Sequence, residues 1–106
     1  MATAGPEKQL ENLIKTELIR RRAWFVKIAA SPEMPRGIPD ILACYRGHFI
    51  GIPVKRPGRK NGLSEHQKIQ LATITNAGGI ALVVNDFDKF IVELNSLENN
   101  LNDTNR

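Results

Sequence analysis

Three features in the middle of the chain have residue types and spacing that could act together on a phosphodiester. Asp40 closes the run Gly37-Ile38-Pro39-Asp40 and opens a strand-like segment, so a stiff turn holds its carboxylate at a sheet edge. Lys55 ends the next strand-like segment, and a short hairpin pairs it in space with Asp40. A carboxylate that binds Mg²⁺ beside an ammonium is a minimal device for phosphodiester hydrolysis. The metal polarises the phosphate and helps ionise water; the lysine orients the nucleophile and stabilises charge in the transition state. Ser64-Glu65-His66-Gln67 is the third feature, since a polar residue in a first helical turn can lean towards a neighbouring site. Each has a plain structural reading as well. Pro and Asp are turn residues, a strand-end lysine is usually solvated, and Ser-x-x-Gln is a capping box.

These residues need a scaffold, and the periodicity supplies one. Residues 6–22 predict a helix: Pro6 suits a first turn, and Leu10, Leu13, Ile14 and Leu18 form one apolar stripe with Glu11 on its margin. Residues 23–28, AWFVKI, predict a strand, followed by a loop with two prolines and a glycine. Residues 40–45 and 48–55 predict two more strands, joined by a tight turn at Arg46-Gly47. On the second of these, a period of two puts Pro53 and Lys55 on one face, Ile52 and Val54 on the other. The capping box opens a helix that runs to Ala77 and stops at Gly78-Gly79. Residues 80–84, IALVV, read as a short strand buried on both faces. Phe87, Phe90, Ile91, Leu94 and Leu97 mark a last amphipathic helix.

The order is α-β-β-β-α-β with a C-terminal helix. An antiparallel hairpin followed by a strand–helix–strand crossover gives an α/β fold with a mixed sheet and helices on its faces. We read residues 1–106 as one domain, its core about 8–94, with 95–106 as an asparagine-rich tail expected to fray.

Composition sets broad limits. The net charge is +4, and the tail carries two acids and one base, so the positive excess sits elsewhere. It gathers at Arg20, Arg21 and Arg22, and at Lys55, Arg56, Arg59 and Lys60, which suggests a polyanion, nucleic acid first. No apolar run approaches the ~20 residues of a membrane span, and the N-terminus shows no signal pattern, so a cytoplasmic setting is the expectation. The single cysteine, Cys44, reads as a small buried hydrophobe.

Taken in this order, Glu11, GIPD at 37–40, VKRPG at 54–58, LSEHQ at 63–67 and the Gly-Gly-plus-apolar strand resemble the virus-type replication-repair nuclease (VRR-NUC) domain, a branch of the PD-(D/E)XK nuclease superfamily. The resemblance spans roughly residues 8–86. It implies a restriction-endonuclease-like core and a Mg²⁺- or Mn²⁺-dependent DNA endonuclease. Asp40 would bind the metal, with Glu11 supporting it and the backbone oxygen of Val54 as a further ligand. Lys55 would be the family lysine, and Gln67 would reach the site from the second helix. Arg36, Arg56, Arg59 and Lys60 would contact phosphates. Branched or single-strand-containing DNA, a homodimer, and a bacterial or phage-infected host cell are further implications.

Pro53 departs from that pattern, because the family carries an acid there, two residues before its lysine. One metal-holding carboxylate is therefore missing, which implies weaker metal binding and impaired activity. Proline lacks an N–H and fits poorly inside a sheet, so a bulge or an end to pairing is expected there. A weakly active natural nuclease, a non-catalytic DNA-binding or partner-binding protein on the same scaffold, and a laboratory substitution are all compatible with Pro53.

Overall fold

The structure is a computed structural model that describes residues 4–58 and 62–104. Its elements are α1 Pro6–Arg20, β1 Trp24–Lys27, β2 Ile41–Tyr45, β3 His48–Ile52, α2 Glu65–Asn76, β4 Ile80–Ala81 and α3 Phe87–Thr104. One sheet has the order β1-β2-β3-β4. β1–β2 and β2–β3 pair antiparallel, and β3–β4 pair parallel. The mixed sheet and its crossover are those expected.

Alternation decides which residues build the core. Ile41, Ala43 and Tyr45 from β2, with Ile50 and Ile52 from β3, face Leu10, Ile14 and Leu18 of α1 and Phe90 and Leu94 of α3. Burying each large apolar residue stabilises by roughly 1.5–3 kcal/mol, so this face sets the fold. α2 lies on the other face, where a Cβ built on Gly51 would stand 2.8 Å from Ile74 Cδ1. The hairpin turn is Arg46-Gly47 with φ of 52° and 83°, and Tyr45 pairs with His48. Positive φ at both positions matches the right-handed twist of the strands.

Five expectations change. Leu13 is 49% exposed, and Glu17 is buried instead, because the helix turns its 10–14–17–18 ridge to the sheet. α1 stops at Arg20 rather than Arg22: Arg22 takes φ 62°, its N–H donates to Ile19 O, and Ala23 N–H donates to Leu18 O. That pattern is a Schellman cap, which turns the backbone sharply into β1. The expected strand over 80–84 is shorter and is not buried on both faces, since β4 is a sheet edge and Val83 is exposed. Cys44 is exposed, not buried, because it stands between Trp24 and Phe49 on the outer sheet face that no helix covers at that end. The tail from 95 is helical through Thr104. There Arg21 donates to Asn95 Oδ1 at 2.8 Å and the Tyr45 hydroxyl donates to Glu98 at 2.7 Å, which ties α3 to α1 and the hairpin.

The arginine cluster at 20–22 is only partly a free basic face. Arg21 donates to Glu17 Oε2 at 2.7 Å, and Arg20 bonds the same carboxylate. The Arg20 hydrogen bond pulls the Glu17 carboxyl down; burial opposes it, Arg21 adds to it, and the result is about 2. Glu11 is held equally low, as described below. Both groups ordinarily titrate at 4.5, so each contributes stability that is complete above that pH and is lost as pH falls through about 2. Chemical denaturation at stepped pH should show stability dropping across that window. Glu17→Gln should flatten the drop.

Candidate functional site

The GIPD run is held by contact with α2. Gly37 adopts φ 86°, and a Cβ there would lie 2.4 Å from the carbonyl carbon and oxygen of His66 and 2.7 Å from the backbone nitrogen of Gln67. Only glycine allows both this backbone conformation and this approach. Pro39 is fully buried beside Gly51. Asp40 follows, accepting the Ile28 N–H on its backbone oxygen at 2.8 Å and the Val54 N–H on Oδ2 at 2.7 Å.

The two prolines explain the backbone around Val54. The β2–β3 ladder ends at the pair Ile41↔Ile52, and before Asp40 the chain leaves the strand with Pro39 packed beside Gly51 on the face that α2 covers. Pro39 has no N–H with which to extend the ladder. No backbone N–H among the described residues bonds the Val54 carbonyl oxygen. The Val54 residue meets Asp40 through its N–H, which donates to the carboxylate.

Lys55 anchors through its backbone, donating N–H to Val84 O at 2.8 Å. Its ammonium donates to Gln67 Oε1 and to Gly62 O, both at 3.1 Å. Gln67 Oε1 also accepts the Ser64 N–H at 2.9 Å, while Ser64 Oγ accepts the Gln67 N–H at 3.1 Å. Gln67 therefore both completes the capping box and accepts from the Lys55 ammonium. Capping α2 fixes the oxygen that steadies Lys55.

Glu11 is 6% exposed and carries three ammonium partners. Its Oε1 accepts from Lys27 at 2.9 Å, while Oε2 meets Lys8 at 3.0 Å and Lys15 at 3.3 Å. Burial pushes its carboxyl up, but the hydrogen bonds from Lys27, Lys8 and Lys15 together outweigh that and hold it at about 2. The Lys27 ammonium also stands 4.0 Å from Asp40 Oδ1. Lys27 is not among the residues expected at the site. Its signal in the sequence is parity: it alternates with Phe25, which packs on the core, so a lysine ends the inward row of β1.

Pro53 is fully buried and ends the pairing of β3 without a bulge. Its carbonyl still accepts the Val84 N–H at 2.9 Å, leaving an isolated parallel bridge at Val54↔Val84. The missing N–H at 53 would have pointed to Leu82 O, which is where β4 breaks off. Neither nearby acid takes its place: Glu65 pairs with Lys68 at 3.3 Å in solvent, and Glu33 is exposed on its loop.

Among the described residues, no group of three or more His, Cys, Asp or Glu residues could hold a metal ion. Asp40 and the Val54 carbonyl remain as hard oxygen donors, with Glu11 engaged by lysines. Mg²⁺ commonly binds through one or two carboxylates together with water and substrate phosphate. The donors present fit such an ion only when a phosphate completes the set. Arg36 and Arg56 are exposed near this end of the sheet, and Arg59 and Lys60 lie outside the described residues. A cleft of about 260 Å³, lined by Ile28, Met34, Arg36, Gly37, Pro39 and Asp40, opens beside the carboxylate.

No protein-family model matches this sequence, and no curated protein matches it. A solved structure described as a VRR_NUC domain superposes on it with a TM-score of 0.69 at 21% identity, covering 81% of this protein and 90% of that one. The protein therefore has the fold of that VRR_NUC domain, here built on a mixed four-stranded sheet.

Proposed function

We propose that this protein is a divalent-metal-dependent DNA endonuclease of reduced cleavage activity. The observation that carries the reading is the placement at one sheet end of the Asp40 carboxylate, bonded to the Val54 N–H, and of Lys55 next along the chain, whose ammonium is held by Gln67. Mg²⁺ or Mn²⁺ held at Asp40 and Val54 O would supply Lewis-acid polarisation of the phosphate and a more acidic water. Lys55 orients the nucleophile and balances charge on the phosphate. Three ammonium groups, Lys8, Lys15 and Lys27, meet the single Glu11 carboxylate, and Lys27 also stands 4.0 Å from Asp40, so the local field favours a polyanion. The cleft beside Asp40 has room for an unpaired nucleotide with Arg36 at its wall, which supports branched or single-strand-containing DNA as substrate. A homodimer, placing two such sites on two strands, suits that substrate.

The test is a Mn²⁺ titration by calorimetry, with and without a bound DNA junction. Weak millimolar binding is expected for the free protein. With DNA present it should tighten by roughly 10-fold or more, since coupled sites shift each other's affinity in that range. Asp40→Asn should remove the Mn²⁺ signal. Absence of Mn²⁺ binding in the presence of DNA, or binding indifferent to Asp40→Asn, defeats the reading.

A second reading, a non-catalytic DNA-binding or partner-binding protein on the nuclease scaffold, is favoured by one observation: Glu11 is held by lysines while Pro53 fills the acid position. It predicts steeply salt-dependent DNA binding that persists in Asp40→Asn with no Mn²⁺ effect.

A further inference from the structure

We propose that Lys27 is a built-in cation seated between Glu11 and Asp40, which a divalent ion must displace to use these acids together. The inference rests on the metal-dependent reading of Asp40. Lys27 is the last residue of β1, in register with Ile41 and so one step from Asp40. Its ammonium lies 2.9 Å from Glu11 Oε1 and 4.0 Å from Asp40 Oδ1. Those two oxygens belong to the acids that a bridging ion would draw together. Lys8 and Lys15 differ from it. Both come from α1 itself and meet Oε2, the other oxygen of Glu11, and neither forms an ion pair with Asp40.

Two physical reasons make the seat exclusive. Mg²⁺ requires its oxygens at about 2.0–2.1 Å, which leaves no room for a protonated amine between the same two carboxylates. Like charges a few ångströms apart near a protein surface also repel by several times the thermal energy. The competitor is tethered, so it acts at an effective concentration that a free ion reaches only at millimolar levels. Lys27 is 38% exposed along its stem and head, so it can swing to solvent when displaced. The device makes the site hold a lysine at rest and a metal only when something else, such as a DNA phosphate, draws the ammonium away.

The experiment compares Mn²⁺ affinity, by calorimetry and by the spin-resonance signal of free Mn²⁺, in the unsubstituted protein and in Lys27→Met and Lys15→Met. Lys27→Met keeps the length of the stem and removes the charge. It should tighten Mn²⁺ binding by roughly 10-fold or more, after allowing for solvent screening of a partly exposed charge. Lys15→Met removes an equal charge from Glu11 but not from the seat, and should change affinity by less than about 3-fold. Lys27→Gln, which keeps a donor for Glu11, serves if the methionine variant does not fold, with the same direction expected. Unchanged or weaker Mn²⁺ binding without Lys27, or an equal gain in Lys15→Met, overturns the inference. A merely structural lysine would lower the melting temperature and leave Mn²⁺ affinity alone. The two readings separate through Pro53→Glu. If that variant binds Mn²⁺ through Asp40 while removing Lys27 changes nothing, the seat is wrong and the nuclease reading stands. If Asp40→Asn alters Mn²⁺ binding in none of these proteins, the nuclease reading itself falls.

Discussion

Pro53→Glu is expected to raise metal-dependent cleavage of branched DNA by ~10²-fold or more, the scale of regaining a transition-state contact. Position 53 immediately precedes Val54, whose N–H donates to Asp40, so a glutamate there is expected to set a second carboxylate near the first. Lys55 lies two residues on and on the same strand face, already steadied by Gln67. The substitution also returns an N–H to the point facing Leu82 O, which should join the isolated Val54↔Val84 bridge to β4. There is an opposing cost. The site of Pro53 is fully buried, and a carboxylate placed there without a counter-charge is unfavourable. The metal-free variant should therefore melt lower than the parent, and Mn²⁺ should raise its melting temperature by mass action. Thermal melts with and without Mn²⁺, alongside a cleavage assay, read both effects. Lys55→Ala in the same background should abolish the gain and leave the fold intact. A folded, metal-bound Pro53→Glu protein as inert as its parent would show that position 53 is not the seat of the missing acid.

Gly37→Ala should be the most damaging small substitution, with a loss of about 3 kcal/mol or more in denaturant unfolding. Two costs add. At φ 86° any residue with a Cβ is strained by roughly 1–2 kcal/mol. The new methyl would also meet backbone atoms of His66 at 2.4 Å, and backbone in a capped helical turn yields far less readily than a flexible side group. Gly47→Ala is the control, since φ there is 83° but nothing lies within 4 Å of the added carbon. It should show the strain alone. The contact also predicts a functional loss. Pushing the first turn of α2 away takes Gln67 from Lys55, so DNA-linked Mn²⁺ binding should weaken even where Gly37→Ala remains folded. Equal stability of the two alanine variants would mean that the GIPD loop does not bear on α2.

Much of the molecule is legible in its sequence because the signals are local. The order of elements follows from two periods, and the Ser64–Gln67 capping box, the Arg46-Gly47 turn and the Gly78 stop are chemistry among close neighbours. Pro53 reads as a bulge or an end to pairing for the same reason, since a missing N–H acts where it stands, and pairing of β3 does end before it. Asp40, Lys55 and Gln67 stand out individually, and the hairpin and crossover bring them to one sheet end.

The set of elements and the chemistry each residue can offer are therefore local properties of the chain. How those residues are used depends on packing between elements. Glu11 has the type and place of a metal supporter, yet it binds lysines from its own helix and from β1. Leu13 leaves the buried stripe and Cys44 faces solvent, because coverage of a face depends on which helix packs over it. Gly37 and Pro39 hold the loop before Asp40 only because packing brings them against the first turn of α2 and Gly51. A charge is paired or free, and a donor engaged or available, according to groups far away along the sequence. Those distances are closed by packing between elements, which no local pattern records.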